Sequence, residues 1–168
     1  GFYLPFKQDY TVEGFSTVLY NGNSGTQYIG GTGFNPDLVW GKRRSGAKEH
    51  WLVDSVRGGT KVLESDTSGA ENTVGGGVGF ENDGFTLDYT GGWNSGNQTG
   101  YTYVAWNWDM GGSNASNTNG SINSTVRANP TYGQSIVSYT GNGTAGATVG
   151  HGLSSAPEMI IVKGRNRV

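Results

Sequence analysis

The chain has 168 residues, no cysteine and a formal net charge of −2. The lack of cysteine excludes a disulfide framework and a thiolate metal site, and the weak net charge excludes a polybasic surface for nucleic acid or an anionic membrane. Glycine, with 31 residues, and aromatic residues, with 12% of the chain, favour a turn-rich β protein.

The predicted elements are short strands separated by turn residues. Residues 16–20 (STVLY) form the first strand and end at Asn21 and Gly22, a pair typical of tight hairpin turns. Residues 38–40 (LVW) are apolar throughout, which predicts a strand buried on both faces. Further strands are predicted near residues 50–56, 61–64, 78–81 and 85–88.

The last strand of this run lies within residues 100–112. Alternation there places Val104, Trp106 and Trp108 on one face and Tyr103, Ala105 and Asn107 on the other. Together the strands predict an antiparallel two-sheet β-sandwich with almost no helix. The predicted core consists of Val18, Tyr20, Leu38, Trp40, Leu52, Leu63, Phe85, Leu87, Val104 and Trp106.

One stretch of the sequence occurs twice. GFSTVLYNGN begins at Gly14 and GQSIVSYTGN begins at Gly133. After a shift of two residues, NPDLVWGKRR from Asn35 matches APEMIIVKGR from Ala156. Repetition in the same order predicts duplication on the scale of a domain rather than a short solenoid repeat. We therefore expect a chain cut from an array of similar sandwiches.

The predicted organisation has four parts. Residues 1–13 form the end of a preceding module or a strand that leads into the next one, and residues 14–112 form the sandwich. Residues 113–130 are rich in Asn, Ser and Gly, which predicts a linker, although INSTV within it is a candidate edge strand. Residues 131–168 form the first third of a second copy, which is too small to build a core alone.

Four motifs carry a family resemblance. GFNPDLVWGKRR, LVDSVRGG, DGFTL and YVAWNW, followed by the second run YTGNG...VGHGL...APEMIIVK, resemble a domain that recurs in long virion proteins of tailed phages, notably marine ones. The resemblance covers residues 14–112 and restarts near Gly133. It implies a β-sandwich of the concanavalin and laminin-G class, similar to a jelly roll. Gly41 stands where this pattern has a β-branched residue, so we expect a bulge there.

The resemblance implies a non-enzymatic structural part of the virion surface, such as a tail fibre or appendage, in an extracellular setting. The expected partners are other virion proteins or further copies of the chain in a homo-oligomer, and host attachment through a surface glycan is part of this expectation. Neither nucleic acid nor a membrane is expected as a partner. Two alternatives stay open: a carbohydrate-binding lectin-like module, and a fragment of a secreted polysaccharide-degrading enzyme.

Residues suited to catalysis or metal binding have simpler interpretations. His50, Asp54 and Ser55 are the residue types of a hydrolase triad, but a strand directs Ser55 away from the other two. The carboxylates Glu64 and Asp66 could form the acid pair of a glycosidase. They lie at the start of a polar loop, however, where solvated surface residues are the competing interpretation. The acidic residues Glu81, Asp83 and Asp88 flank a turn without the spacing of a calcium loop. We therefore predict no catalytic residue, metal site or cofactor.

Two stretches contain the candidate binding residues. The loop from Thr90, TGGWNSGNQTGY, places an indole ring among amide side chains, as in a sugar site, and the competing interpretation is a Trp packed on its own sandwich. The stretch from Lys42, KRRSGAK, is a basic patch for an acidic neighbour or polysaccharide, or else a solvated turn. The candidate glycan residues are Trp93, Asn94, Asn97, Gln98 and Tyr101, and the basic patch is Lys42, Arg43, Arg44 and Lys48.

Overall fold

The structure is a computed structural model that describes residues 13–166, without the side chain of Asn94. The described chain is all-β, with antiparallel sheets and one helix of four residues. This confirms the predicted class with almost no helix. The predicted module end at residues 1–13 lies, apart from Glu13, outside the described residues. No helix in the described part is long and apolar enough to cross a membrane.

Twelve strands and one helix follow each other along the described chain. In order they are β1 (Phe15–Asn21), β2 (Gln27–Gly30), β3 (Leu38–Arg43), β4 (Trp51–Asp54), β5 (Lys61–Glu64), β6 (Asn72–Thr73), β7 (Gly77–Glu81), β8 (Gly84–Asp88), α1 (Asn94–Asn97), β9 (Thr102–Trp108), β10 (Ala115–Asn117), β11 (Ser124–Asn129) and β12 (Gln134–Tyr139). The largest sheet has the order β1-β9-β3-β4-β5-β6, and two three-stranded sheets have the orders β2-β8-β7 and β10-β11-β12.

The main core lies between the six-stranded sheet and the β2-β8-β7 sheet. Its apolar side chains come from both sheets: Val18, Val39, Trp51, Val53, Val62 and Ala105 from the larger one, and Ile29, Val78, Phe85 and Leu87 from the smaller one. Two antiparallel sheets that share one core are consistent with a β-sandwich.

The predicted core is correct in some strands and wrong by one residue in others. Val18, Phe85 and Leu87 belong to the core cluster and Tyr20 packs against it, while Leu63 is buried outside that cluster. The remaining predicted residues lie half-buried on the opposite face of the six-stranded sheet: Leu38, Trp40, Leu52, Val104 and Trp106. Their sequence neighbours face the core instead. The error arose because both faces of these strands are apolar, so alternation alone does not identify the core face.

The expected bulge at Gly41 is wrong. The pairing of β3 with β9 runs in one continuous register from Leu38 opposite Trp108 to Arg43 opposite Tyr103. A Cβ atom at Gly41 would lie 2.0 Å from Cζ2 of Trp51, whose side chain is fully buried. The position is therefore glycine because the neighbouring indole fills the space of a side chain.

Residues 113–130, predicted to be a linker, contain two strands. The candidate edge strand corresponds to β11, which lies between β10 and β12 rather than at the edge. Arg127 of β11 donates from Nε to the carbonyl of Gly111 and from Nη2 to that of Gly112, both at 2.7 Å. The three-stranded sheet is therefore attached to the chain that leaves β9.

Candidate functional site

The loop predicted to bind sugar is folded into the core. Trp93 is 8% exposed, and its ring meets that of Trp51 edge-on with centroids 5.0 Å apart. The buried Asn97 donates from Nδ2 to Oδ1 of Asn23 at 3.0 Å and to the carbonyl of Gly25 at 2.6 Å. Asn94 lies in the same short helix. This placement matches the competing interpretation, in which the loop Trp packs on its own sandwich.

Arg43 holds the other two candidate glycan residues. Its Nη2 donates to Oε1 of Gln98 at 2.7 Å, and its guanidinium carbon lies 3.8 Å from the ring centroid of Tyr101, within cation–π range. Arg43 is itself buried. Glycan binding by this loop stays a prediction, and the polar groups it would use already serve contacts within the fold.

The four residues of the predicted basic patch have different surroundings. Arg43 is buried, whereas Arg44 is exposed. Lys42 donates from Nζ to the carbonyl of Lys48 at 2.5 Å, and Lys48 pairs with Glu49 at 3.1 Å. The positive charge at this turn is therefore dispersed and partly neutralised.

Asp54 organises the turn encoded by LVDSVRGG. One of its carboxylate oxygens accepts the backbone N–H groups of Val56 at 3.1 Å and Arg57 at 2.9 Å. The other pairs with Nε of Arg57 at 2.5 Å. A carboxylate that closes its own turn in this way satisfies several buried donors at once. The motif therefore has a structural role, which is to form this turn.

The other members of the considered triad have separate partners. His50 accepts a hydrogen bond on Nδ1 from Nε1 of Trp40 at 3.1 Å. Ser55 Oγ bonds Oδ1 of Asp37 at 3.1 Å. The three side chains are thus used in three different contacts, none of which joins a base to a nucleophile in the described residues.

The remaining carboxylates considered for chemistry hold loops together. Asp66 accepts the N–H of His50 at 3.0 Å, and Glu64 accepts the hydroxyl of Thr67 at 3.2 Å. Asp83 accepts the N–H of Gly33 at 2.6 Å. Across residues 13–166, no group of three His, Asp or Glu side chains is placed to hold a metal ion.

Asp37 connects the sandwich with the β10-β11-β12 sheet. Its buried carboxylate pairs with Nε of Arg127 in β11 at 2.8 Å and accepts the N–H of Met110 at 2.9 Å. Burial is the largest effect and, together with the charge of Asp109, raises the pKa of Asp37 above its ordinary value, although the charge of Arg127 and the hydrogen bonds from Met110 and Ser55 act to lower it. The attachment of the three-stranded sheet therefore depends on a charged pair that is largely withdrawn from water.

A second charged cluster, formed by Asp54, Arg57, Glu71 and Arg165, crosses from the sandwich to the end of the described chain. Glu71 accepts two bonds from Arg165, both at 2.9 Å, and pairs with Nη1 of Arg57 at 3.1 Å. Burial acts to raise the pKa of Glu71, but the hydrogen bonds and charges of the two arginines together lower it below the usual value. The cluster anchors the segment that follows residue 162.

Aromatic rings cover the outer face of the six-stranded sheet. The ring of Trp40 lies 6.0 Å from that of Trp106 and 6.4 Å from that of Trp108, and Phe15 lies 5.0 Å from Trp108. All four residues are half-buried, and Leu19 on the same side of β1 is 62% exposed. We call these five residues the aromatic face. Rings arranged along a sheet offer flat apolar surfaces to a ligand.

An apolar groove of about 330 Å³ lies at the end of the described chain. One wall is the face of β12 that carries Ser135, Val137 and Tyr139, and the other is formed by Pro157 and residues 159–163. The segment MIIV within that wall, residues 159–162, is between 68% and 73% exposed. We call this feature the terminal groove.

Comparison with known proteins identifies the family. The chain belongs to the family described as Domain of unknown function (DUF7483), which matches residues 11–168. The matched range includes β10, β11 and the whole terminal groove. No curated protein and no solved structure gives a significant match.

The sequence analysis missed the residues that connect the two parts, namely Asp37 with Arg127 and Glu71 with Arg165. A signal was present for Arg127, since it is the sole charged residue among residues 113–130. A lone charge in such a polar stretch indicates a specific partner rather than general solubility. The partner itself was not predictable, because Asp37 lies 90 residues earlier in the chain.

Proposed function

We propose that the chain is a structural module of a repeated surface protein of a tailed-phage virion, such as a tail fibre or appendage. The proposed fold is a concanavalin-like, jelly-roll-type sandwich followed by the start of a second copy. The observation that carries the proposal is the correspondence between β1 and β12. Each strand follows a glycine with a positive φ, 73° at Gly14 and 69° at Gly133, and each repeats the same pattern of side chains.

The use of the polar side chains supports a structural role. Asp54 closes a turn, Asp37 joins two sheets and Glu71 joins the end of the described chain to the sandwich. Carboxylates with such partners are shielded by the fold, whereas a catalytic acid or base needs access to substrate. These residues therefore favour a scaffold over the alternative of a polysaccharide-degrading enzyme.

Immunogold electron microscopy of purified virions tests the proposal. Antibodies against the chain should label fibres or appendages of particles whose genome encodes it, and antibodies first absorbed with the purified chain serve as the control. Mass spectrometry of the same particles should detect its peptides. Detection in the host culture medium but not in particles would overturn the virion assignment.

Glycan binding is a second candidate function, and the aromatic face favours it. Sugars stack on exposed ring faces, and the rings of Trp40, Trp106 and Trp108 follow one side of one sheet. This surface differs from the loop at Trp93, whose ring is buried.

Affinity electrophoresis on soluble polysaccharides tests this candidate. Trp106→Ala should abolish retardation, while the matched variant Tyr28→Ala, which removes an exposed ring (55%) from a different sheet, should keep it. Circular dichroism checks that both variants fold. Equal retardation of the two variants would contradict glycan binding on the aromatic face.

A further inference from the structure

The terminal groove corresponds to part of the main core. In the repeat, Val137 and Tyr139 occupy the positions of Val18 and Tyr20. Val18 belongs to the core cluster, and Tyr20 packs against it. Val137 and Tyr139 instead line the open terminal groove. Within the part of the chain that the structure describes, the same face of the same strand is therefore covered in one copy and uncovered in the other.

The first copy shows which groups cover that face. The ring of Tyr20 meets Phe85 of β8 at 6.2 Å in an edge-on arrangement, and Leu87 of β8 lies in the same cluster as Val18. Strand β8 forms a hairpin with β7 through the turn at Asn82 and Asp83. In the first copy, the cover is thus a β-hairpin that presents Phe and Leu at alternate positions.

The second wall of the groove supports the same correspondence. Residues 159–162 occupy the repeat positions of the first four residues of β3, and β3 pairs with β9 on one side and with β4 on the other. Residues 159–162 take part in no strand pairing within residues 13–166. An apolar segment with β propensity and free backbone groups is a template for further β structure.

We propose that the terminal groove is an open half-core that receives a β-hairpin of the β7–β8 type from another domain of this family. The apolar face of such a hairpin fills the space between Val137, Tyr139 and Ile160. This inference follows from the repeat and is independent of the virion proposal.

Charge complementarity also favours this occupant. The hairpin of residues 77–88 carries Glu81, Asp83 and Asp88 and contains no basic residue. Among residues 13–166, the titratable side chains that line the groove are those of Lys163, His151 and Tyr139, and no carboxylate lines it. An acidic hairpin therefore meets a groove of opposite or neutral character, which favours its approach over that of a basic segment.

A peptide titration of the full chain tests the proposal. The probe is a synthetic peptide of residues 76–90, GGVGFENDGFTLDYT, added to ¹⁵N-labelled chain. We expect saturable shifts at the amides of residues 135–139 and 159–162. A peptide with Phe85→Ser and Leu87→Ser should bind at least about tenfold more weakly, because it lacks the apolar groups to be buried.

Two variants of the chain localise the binding. Val137→Asp should weaken peptide binding at least about tenfold by placing a charge inside the groove. Leu19→Asp changes an exposed apolar residue on the outer side of β1 and should leave binding unchanged. Equal effects of the two variants, or shifts confined to the first copy through exchange with its own hairpin, would overturn the proposal.

The oligomeric state distinguishes a bound hairpin from the other possible occupant, which is the same groove of a second chain. Sedimentation of the full chain should show a monomer whose groove accepts the peptide. A dimer that dissociates on Val137→Asp and does not bind the peptide would mean that the groove packs against the same groove of a second chain, and absence of peptide binding by a monomer at millimolar concentration would mean that no hairpin covers it. Either result overturns the hairpin assignment.

Discussion

The two copies of the repeated sequence have different surroundings in one molecule. In the first unit, residues 14–112, Val39 is fully buried in a strand with neighbours on both sides. In the second unit, residues 131–166, Ile160 occupies the matching position and is 72% exposed. The second segment, MIIV, has more β-branched residues than LVWG in the first. This strand is therefore ordered by β4 and β9, which come later in the chain, and not by its own propensity.

The hydrogen bonds of the acidic residue that occurs in both copies show the same contrast within the molecule. Asp37 in the first unit has Arg127, Ser55 and Met110 as partners, all of which follow it in sequence. Glu158, its counterpart, is exposed. A buried carboxylate is stable only where its partners are present, so the second unit keeps this residue in water.

The largest expected effect comes from removing a core ring of the first unit. Trp51→Ala should lower the free energy of unfolding by roughly 3 to 5 kcal/mol, because the surrounding side chains fill its space only partly. Ile160→Ala in the second unit should change it by less than about 0.5 kcal/mol. Urea denaturation followed by circular dichroism measures both. Similar losses would show that the second unit has a packed core of its own.

The next effect concerns the pair of Asp37 and Arg127, which attaches the β10-β11-β12 sheet to the sandwich. Asp37→Ala should cost roughly 2 to 3 kcal/mol, since it leaves the charge of Arg127 without its carboxylate and removes the acceptor for the Met110 N–H. The expected loss of stability is smaller than for a fully buried ion pair because the Arg127 side chain is 22% exposed. Hydrogen exchange at β10 and β11 should rise more than at β9.

Glu158→Ala is the matched control for this variant. It removes a carboxylate from the same repeat position, but from an exposed side chain, and we expect a change below about 0.5 kcal/mol. A large effect of Glu158→Ala would mean that the second unit buries this residue in solution.

The sequence predicted the class of the fold and several strands, because alternation and turn residues are local signals. It did not predict which face of β3, β4 and β9 meets the core. Leu38 and Trp40 are as apolar as Val39, so the choice is made by the sheet that packs against them. Glycine is required at position 41 for a similar reason, because the indole of Trp51 in the next strand occupies the space of a side chain there.

The candidate site was less predictable than the fold. Trp93 and Asn97 have the composition of a sugar site, but their position is fixed by contacts with Trp51 and Asn23, which are 42 and 74 residues away in the chain. The terminal groove carried a usable signal, since the repeat places Val137 where Val18 stands. The sequence also indicated that residues 131–168 are too small to build a core alone, but not that residues 159–162 would lie opposite β12.

A smaller effect compares the matched valines directly. Val18→Ala should destabilise the chain by roughly 1 to 2 kcal/mol, because it removes two methyl groups from the core. Val137→Ala should cost less than about 0.5 kcal/mol while the terminal groove is open. With the peptide of residues 76–90 in excess, the effect of Val137→Ala on the melting temperature should approach that of Val18→Ala. If the peptide does not increase the effect of Val137→Ala, Val137 does not become a core residue like Val18 when the peptide is present.

The smallest expected effect concerns the pH dependence of the link between the units. The pKa of Glu71 is lower in the folded chain than its ordinary value of 4.5, since Arg165 and Arg57 outweigh the effect of burial. A carboxylate with a lowered folded pKa contributes stability above its unfolded pKa and loses it as the pH falls through the folded pKa. Glu71→Gln removes this contribution, so the melting temperatures of wild type and variant should differ at about pH 6 and converge at about pH 3. Because Asp37 is present in both proteins, its own titration cancels in the difference.

Hydrogen exchange at residues 163–166 should follow the same pH profile if Glu71 holds the end of the described chain through Arg165. A difference that persists unchanged at about pH 3 would show that the link depends on the shape of the side chain and not on its charge.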